Sequence, residues 1–534
     1  MTHTITEKCT QCGVCSPICP TGAITNLDDG LWIDPTLCND CRGFAPEPQC
    51  VSICPTATPP ILLQAKKGRF KEEAKPLTSP HLFPNAKTNP FASAIVIWEA
   101  CNVLAQRQSL PWQADEAGDL CHRRQVSGGR GEITVCLATT NPLNPRISLA
   151  ATEAQAEIAQ WDLRSACLHL LYAAYATGLE RPWEESFTLN DQEISEYLGL
   201  DKRKDLSKIE KLTLIRDLVE KPCQLLVSVD WVPHGRFKKI ILPKSRLWHL
   251  LDTQLQVQTD ETGCKHLTGL TFTIQPGQWT KSFLNRQGAR ERSAFYQYGT
   301  LPKSLLHHIM SIWQQHEGAA RIMLWLLFKS RMGTEQRITI PTLMRIAYGE
   351  TRLVKASFER EERKRLLRSF ESDLEVLNRY YLKPVFDPET YPTEIQPLWV
   401  KLADLPDDAE EALEFWIMDG SQASRLTDAA PRDKWQRLMH ARLLRFDLPA
   451  DWVQNPTKLT KKKAKHTKSP TQKHPLSGAQ IATARKNLQL SQRTLADKLG
   501  KSQSWVRDIE NGRLQVSEKD RGRLFEVLGI AMMG

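Results

Sequence analysis

The pattern of apolar positions divides the chain into segments of different period. Leu163 to Thr177 is apolar around most of its circumference and predicts a buried helix. Asn190 to Leu198 predicts a short helix opening on a polar cap, and Lys208 to Val219 a third. Gln224 to Trp231 and Phe237 to Leu242 are β-branched runs either side of Pro233-His234-Gly235, which predicts a hairpin. Ala319 to Lys329, Ile340 to Tyr348 and Ser357 to Tyr380 repeat the three-helix order, with strands expected beyond Leu382. Near the C-terminus, Gly478 to Gln489, Ser491 to Leu499 and Ser502 to Glu510 predict three short helices, with Gly500 at a sharp turn and Asn511-Gly512 at the stop. Leu495, Ala496 and Leu499 then face Val506 and Ile509 as a buried seam. At the other end the periodicity disappears, leaving only short strand-like pieces, Ala23-Ile24-Thr25 and Leu31-Trp32-Ile33.

Two stretches interrupt these patterns. Residues 64–92 mix Lys, Pro, Ser and Asn without apolar period and read as a linker. Residues 456–475 hold seven lysines (458, 461, 462, 463, 465, 468 and 473) and no acid, which is the composition of a disordered basic linker that favours polyanions. The expected organisation is therefore multidomain: a small α+β domain at 1–63, a mainly α central region at 93–455, and an all-α domain at 476–534. Three helices followed by a hairpin is the order of a winged helix. Its recurrence, at about 163–242 and 319–400, resembles the tandem winged helices of plasmid replication initiators.

A chain of 534 residues accommodates several such cores. Met1 to Lys8 is short and polar, with no signal-peptide pattern, and runs such as Ile322 to Phe328 are too short to cross a bilayer. A cytoplasmic protein with no membrane partner is expected. Lys+Arg is 71 against 61 Asp+Glu, and much of the +10 balance sits in the linker before the C-terminal domain.

Of 14 cysteines, eight fall between Cys9 and Cys54, a density that in a large reduced chain means metal rather than disulfides. The first set, Cys9-Thr-Gln-Cys12-Gly-Val-Cys15-Ser-Pro-Ile-Cys19-Pro20, has the bacterial ferredoxin spacing. The second, Cys38-Asn-Asp-Cys41, eight residues, then Cys50-Val-Ser-Ile-Cys54-Pro55, lengthens the loop between its second and third cysteines. By the ferredoxin pattern, Cys9, Cys12, Cys15 and Cys54 hold one 4Fe-4S cluster, and Cys19, Cys38, Cys41 and Cys50 hold the other. Thiolates are soft and anionic, matching an iron-sulfide core. Zinc is the competing ligand of four-cysteine sites, but zinc motifs rarely use a triple-cysteine run ending in Cys-Pro. The long loop resembles that of ferredoxins associated with nitrogen fixation. Cys101, Cys121, Cys136, Cys167, Cys223 and Cys264 show no ligand spacing and read as ordinary separate thiols. No phosphate-binding loop or zinc-protease helix is present, and Ser127-Gly128-Gly129-Arg130-Gly131 reads as a turn.

Leu490-Ser-Gln492, Leu495-Ala-Asp-Lys-Leu-Gly500, Val506 and Ile509-Glu-Asn-Gly512 resemble the Cro/CI repressor family over about 55 residues. That resemblance implies a third helix in the major groove. Ser502, Gln503, Ser504, Trp505, Arg507 and Asp508 then lie on or beside the base-reading positions, and Gln492 holds the DNA backbone. Gln suits adenine and Arg suits guanine, whereas Trp505 departs from the small or polar residue usual there and either contacts DNA or shields the seam.

Ferredoxin-type cysteines at one end and a Cro/CI-type reader at the other resemble the PatB/CnfR family of cyanobacterial regulators of nitrogen-fixation genes. The resemblance implies a transcription activator working at low oxygen. With two 4Fe-4S clusters expected from the cysteine spacing, promoter DNA and RNA polymerase are the expected partners, no enzymatic activity is expected, and the Cro/CI resemblance implies a homodimer. Two alternatives stay open: an oxidoreductase with an accessory DNA-binding domain, and a replication-initiator-like DNA-binding protein.

Overall fold

The computed structural model describes the chain apart from residues 1, 7, 28–29, 57–58, 63–77, 85–86, 127–130, 140–147, 233–238, 260–264, 331–336, 407, 422–430, 451, 453–477, 512, 515, 517 and 530–534. The Pro233-His234-Gly235 turn, the basic linker 456–475, Ser127 to Arg130, Cys264 and Gly512 lie outside the described residues. Two compact units result, Met1–Asn455 and Pro456–Gly534.

The first unit begins with β1 (His3–Thr4), the hairpin β2 (Ile24–Leu27) and β3 (Gly30–Ile33), the one-turn helix α1 (Gln49–Ser52) and β4 (Ile61–Leu62), which pairs antiparallel with β1. Next come β5 (Thr88–Ala92) and α2 (Ile95–Gln106). Leu82 and Phe83 are buried and β5 carries ladder bonds, so the expected linker over 64–92 is corrected in its second half, which belongs to the core. Pro90 hid this, but it sits in a two-stranded sheet where one edge needs no N–H donor.

The elements β6 (Gln113–Ala114), β7 (Leu120–Val126), β8 (Gly131–Leu137), α3 (Ala151–Ala159), α4 (Leu163–Gly178), β9 (Phe187–Asn190), α5 (Asp191–Leu198), α6 (Lys208–Cys223), β10 (Leu225–Trp231), β11 (Ile240–Arg246), β12 (Trp248–Thr259) and β13 (Lys265–Pro276) follow. The predicted hairpin forms as β10 and β11, but not as a wing. It is the edge of a five-stranded antiparallel sheet ordered β11-β10-β8-β7-β6. The wing position belongs to β12 and β13, and β13 pairs back on β9, giving the order β12-β13-β9. The expectation of a mainly α centre is thereby corrected to a mixed α/β one.

After α7 (Trp279–Phe283), α8 (Arg286–Arg290), β14 (Tyr298–Pro302), which pairs with β5, and α9 (Lys303–Ile312), the same connectivity recurs. It consists of α10 (Glu317–Lys329), β15 (Ile338–Thr339), α11 (Ile340–Tyr348), α12 (Glu350–Phe358), α13 (Arg360–Arg379) and β16 (Lys383–Phe386). An excursion holding α14 (Leu398–Lys401), α15 (Ala409–Ser421) and α16 (Lys434–His440) precedes β17 (Arg442–Asp447), and the sheet order is β15-β17-β16. In both cases a short strand before the second helix pairs with the last strand, the arrangement of a winged helix. The expected second boundary, near 400, falls inside the excursion. The second unit contains α17 (Gly478–Asn487), α18 (Gln492–Leu499), α19 (Gln503–Glu510) and α20 (Glu518–Leu528).

Cys121 and Cys136 stand opposite one another in the β7–β8 register, with Cα atoms 4.3 Å apart, and are joined as a disulfide. This corrects the reading of both as separate thiols. Cross-strand pairing, invisible in a spacing of 15 residues, brings them together. Cys101, Cys167 and Cys223 are buried free thiols. Among the described residues no helix is long and apolar enough to cross a membrane.

α4 runs through the centre of the first core, with every residue from Ser165 to Thr177 buried. Its His169 is locked between elements: Nδ1 accepts from the indole Nε1 of Trp248 at 3.0 Å, and Nε2 donates to the carbonyl of Ile97 at 3.0 Å. This arrangement requires the neutral ring, and burial pushes its pKa down from 6.5 to about 4. A depressed folded pKa gives stability that is complete above 6.5 and lost as pH falls toward 4. We expect His169→Gln to remove on the order of 3 kcal/mol from the difference in unfolding free energy between pH 7 and pH 4, read by urea titration against wild type. An unchanged pH dependence would contradict this assignment.

Candidate iron-sulfur centres and DNA reader

Tight turns gather the cysteines. Gln11 (φ 55°) and Gly13 (φ 74°) reverse the chain between the first three, and Asp40 (φ 63°), Cys41 (φ 53°) and Gly43 (φ 84°) do so in the second set. Such left-handed turns let successive thiols point to one side instead of alternating. The result is two separate cavities. Cys9, Cys12, Cys15 and Cys54 line the first, together with Ile5, Leu31 and Pro55. Cys19, Cys38, Cys41 and Cys50 line the second, with His3, Ile33 and Pro48. Each motif thus gives three thiols to one cavity and its Cys-Pro cysteine to the other. Among the described residues no three Cys, His, Asp or Glu side chains converge as they would on a single metal ion.

The chemistry of these cavities suits an electron-poor inorganic group. Burial pushes the Cys50 thiol up to about 12, with the Cys38 and Cys41 thiols adding to the effect, and burial likewise raises Cys15. Four thiolates cannot crowd there without positive charge between them. Donors are in place for sulfur: the Gln11 N–H reaches Cys9 Sγ at 3.4 Å, and the Gln49 N–H reaches Cys41 Sγ at 3.5 Å. Thr56 Oγ1 lies 3.1 Å from Cys54 Sγ and Thr21 Oγ1 3.5 Å from Cys19 Sγ. The Thr56 contact holds Cys54 below its ordinary pKa, and at Cys19 burial is outweighed by the contacts of Thr21 together with the backbone N–H groups of Ala23 and Ile24. Sequence reasoning missed both threonines, although the repeated Cys-Pro-Thr at 19–21 and 54–56 signals them. It also missed Gln11, whose side-chain carbonyl accepts the Leu31 N–H at 2.5 Å and ties the first turn to β3.

The cysteine-bearing segment is fastened to the centre by two buried side chains. Trp32 on β3 joins the main core. Asp34, which follows β3, accepts from the Arg216 guanidinium on α6, and the same Arg216 Nη1 reaches Thr36 Oγ1 at 2.7 Å. Thr36 Oγ1 in turn donates to Asp34 at 2.6 Å. α6 occupies the third-helix place of the first winged arrangement, so one ion pair joins that helix to the segment between the two cysteine sets.

In the second unit Ser491 accepts from the Thr494 N–H at 3.0 Å, Gly500 takes φ 66°, and Ser502 accepts from the Trp505 N–H at 3.2 Å. These caps and the left-handed turn set α18 against α19. Leu495, Ala496, Leu499, Val506 and Ile509 are buried in their core with Ile481, Leu524 and Leu528. On α19, Gln503, Ser504 and Arg507 are exposed, whereas Trp505 and Asp508 are half-buried. Trp505 packs on the core, with the Lys501 ammonium 5.3 Å from its ring centroid. Gln492 is held from the protein side, donating to Glu510 at 2.8 Å. Glu510 also takes two bonds from Arg485, at 2.6 and 3.1 Å, and these partners overcome burial to keep its carboxyl below the ordinary range. This Arg485–Glu510–Gln492 network, with Arg485 also donating to the Leu490 carbonyl at 2.7 Å, joins three helices and was not anticipated from sequence.

Residues 3–25 match a 4Fe-4S binding domain model, and residues 478–531 match a helix-turn-helix domain model. Ferredoxin-1 of Chlorobaculum tepidum is 53% identical over 51 residues, which is 10% of this chain and 82% of that protein. The ferredoxin-like protein in nif region of Trichormus variabilis is 48% identical over 58 residues, and that of a Nostoc species 47%. Each of these two alignments covers 10% of this chain and half of the relative. The helix-turn-helix match implies DNA binding. Through its N-terminal segment the chain belongs to the 4Fe-4S ferredoxin family, and it joins that ferredoxin domain to a C-terminal helix-turn-helix domain.

Proposed function

We propose that this protein is an iron-sulfur transcription regulator, an activator of nitrogen-fixation genes at low oxygen, and not an enzyme. The observation that carries the reading is the pair of four-thiol cavities on the same chain as a DNA reader, with the cavity-bearing segment ion-paired to a winged-helix element through Asp34 and Arg216. Cys9, Cys12, Cys15 and Cys54 hold one 4Fe-4S cluster, and Cys19, Cys38, Cys41 and Cys50 the other. Bound clusters supply an oxygen-labile, one-electron centre. The chain's own part is to keep the thiols convergent and to transmit their arrangement: Cys38 lies four residues from Asp34, its N–H bonded to the Asp34 carbonyl at 3.0 Å. Loosening of the second ligand set therefore pulls directly on the bond to α6. The nif-region relatives support the biological setting and the Cro/CI-like reader supports promoter binding, as a dimer that engages RNA polymerase. The PatB/CnfR resemblance fits both. The duplicated winged connectivity favours a second reading, a replication-initiator-like protein whose principal DNA contacts lie in the first unit.

Purified without oxygen, the protein should be brown and hold iron and sulfide for about two cubanes. Colourless protein with stoichiometric zinc would reject the cofactor. Cys12→Ser or Cys41→Ser should accumulate normally yet fail to activate a nitrogen-fixation promoter reporter at low oxygen. The paired change Asp34→Asn with Arg216→Gln, which leaves no unpaired buried charge, should also fail to activate, with its iron content intact. Full activation by the cysteine variants at matched protein level would exclude the clusters as the sensor.

Changing Gln503 or Arg507 to Ala should cost specific binding roughly 1–3 kcal/mol and relax one operator position. Neutralising the lysines at 458–473 should instead weaken all sequences alike and flatten the salt dependence, measured by fluorescence anisotropy. A changed sequence preference in the lysine variant would assign those side chains to base reading.

A further inference from the structure

One helix of the first unit is built to be covered and is not. α15 has 13 residues, yet the only side chain it buries is that of Asp419. Leu413 (62% exposed), Trp416 and Ile417 (63%) stand at i, i+3 and i+4, an apolar stripe presented to water, with Met418 equally exposed beside it. What holds the helix is its start: Asp408 accepts the N–H groups of Glu410 and Glu411 at 2.9 and 3.2 Å, and Glu410 and Glu411 follow in the first turn. A helix this short is marginal when nothing packs against it. The sequence around it is uniformly acidic. Between residues 402 and 424 the sequence has seven acids (404, 407, 408, 410, 411, 414 and 419) and no Lys or Arg, in a chain whose balance is +10.

A second exposed stripe carries the opposite charge. On α12, Val354 and Phe358 stand at i and i+4, and Phe358, 83% exposed, is the most exposed large apolar side chain among the described residues. Residues 350–368 contain seven bases (352, 355, 360, 363, 364, 365 and 368) against four acids (350, 359, 361 and 362), a net of +3. Lys355, Arg360 and Arg365 are exposed. An acidic-rimmed apolar helix and a basic-rimmed apolar helix thus each present an exposed apolar face on one molecule.

We propose that α15 of one copy docks on α12 of a second copy, reciprocally, so that the chain forms a closed two-fold dimer. Acidity excludes DNA as the occupant of α15. A matching helix face, apolar with a basic rim, is already on this surface. Two-fold symmetry makes each contact imply its twin, which covers all four stripes and leaves none to recruit a third copy. One helix-on-helix contact falls short of the ~1,200 Å² where specific interfaces begin, and reciprocity doubles it. The dimer would arise in the first unit, independently of the helix-turn-helix domain and of the regulatory reading above.

Sedimentation equilibrium of the full-length protein at micromolar concentration tests this. The expected mass is twice the 60.8 kDa of one chain. Ile417→Arg and Phe358→Asp should each give monomers. The triple change of Glu410, Glu411 and Glu414 to Lys should weaken the dimer at least about tenfold, and combining it with Lys355, Arg360 and Arg365 to Glu should restore it, since complementarity is regained with its sign reversed. The restored arm excludes misfolding as the cause of the loss. A monomeric wild type, a dimer indifferent to Ile417→Arg, or no recovery in the combined variant would overturn the proposal. So would a monomer that binds purified RNA polymerase through α15.

Discussion

The arrangement of the first unit depends on one buried carboxylate. Asp34 sits between the two cysteine sets, and its side chain binds Thr36 and Arg216 while its carbonyl receives the N–H groups of Leu37 and Cys38. An ion pair of this kind contributes little as pure stability, because desolvation offsets most of its attraction, but removing one partner leaves an uncompensated buried charge. It is therefore a registration device, fixing where the ferredoxin domain meets α6. With Trp32 alongside it in the main core, the cluster-bearing segment is a built-in part of the first unit rather than a bead on a linker.

Several parts of this account were legible from residues alone. The cysteine spacing implied both the ligand types and their crossing, and the two cavities gather the same eight thiols in the same two groups. Ser491, Gly500 and Ser502 marked the helix boundaries of the second unit because caps and left-handed turns are local chemistry. In the centre, the helices of the winged arrangements followed from apolar period, as in α4, α5, α10 and α11.

What escaped was non-local. The wing was placed on the β-branched run at 224–242, which instead completes a five-stranded sheet. The true wing strand contains Gln254-Leu255-Gln256-Val257-Gln258, a polar–apolar alternation that is itself the period of a half-buried strand and was passed over for the more apolar run before it. The Cys121–Cys136 bond, the Arg485–Glu510–Gln492 network and the Asp34–Arg216 pair join residues whose separation along the chain says nothing of their contact. Pro90 suppressed a strand that a two-stranded edge tolerates. These misses share a cause: strand partners and buried ion pairs are chosen by tertiary packing, whereas caps, turns and thiol spacing are written locally.

The central claim, that a ferredoxin-type domain governs where and when this chain acts on DNA, is tested most directly by mapping its genome-wide occupancy in cells held without oxygen and after exposure to air. The account predicts a small set of promoters, nitrogen-fixation genes among them, occupied and transcribed without oxygen and losing transcription in air. Occupancy confined to a replication origin, or promoter activity indifferent to oxygen, would contradict it.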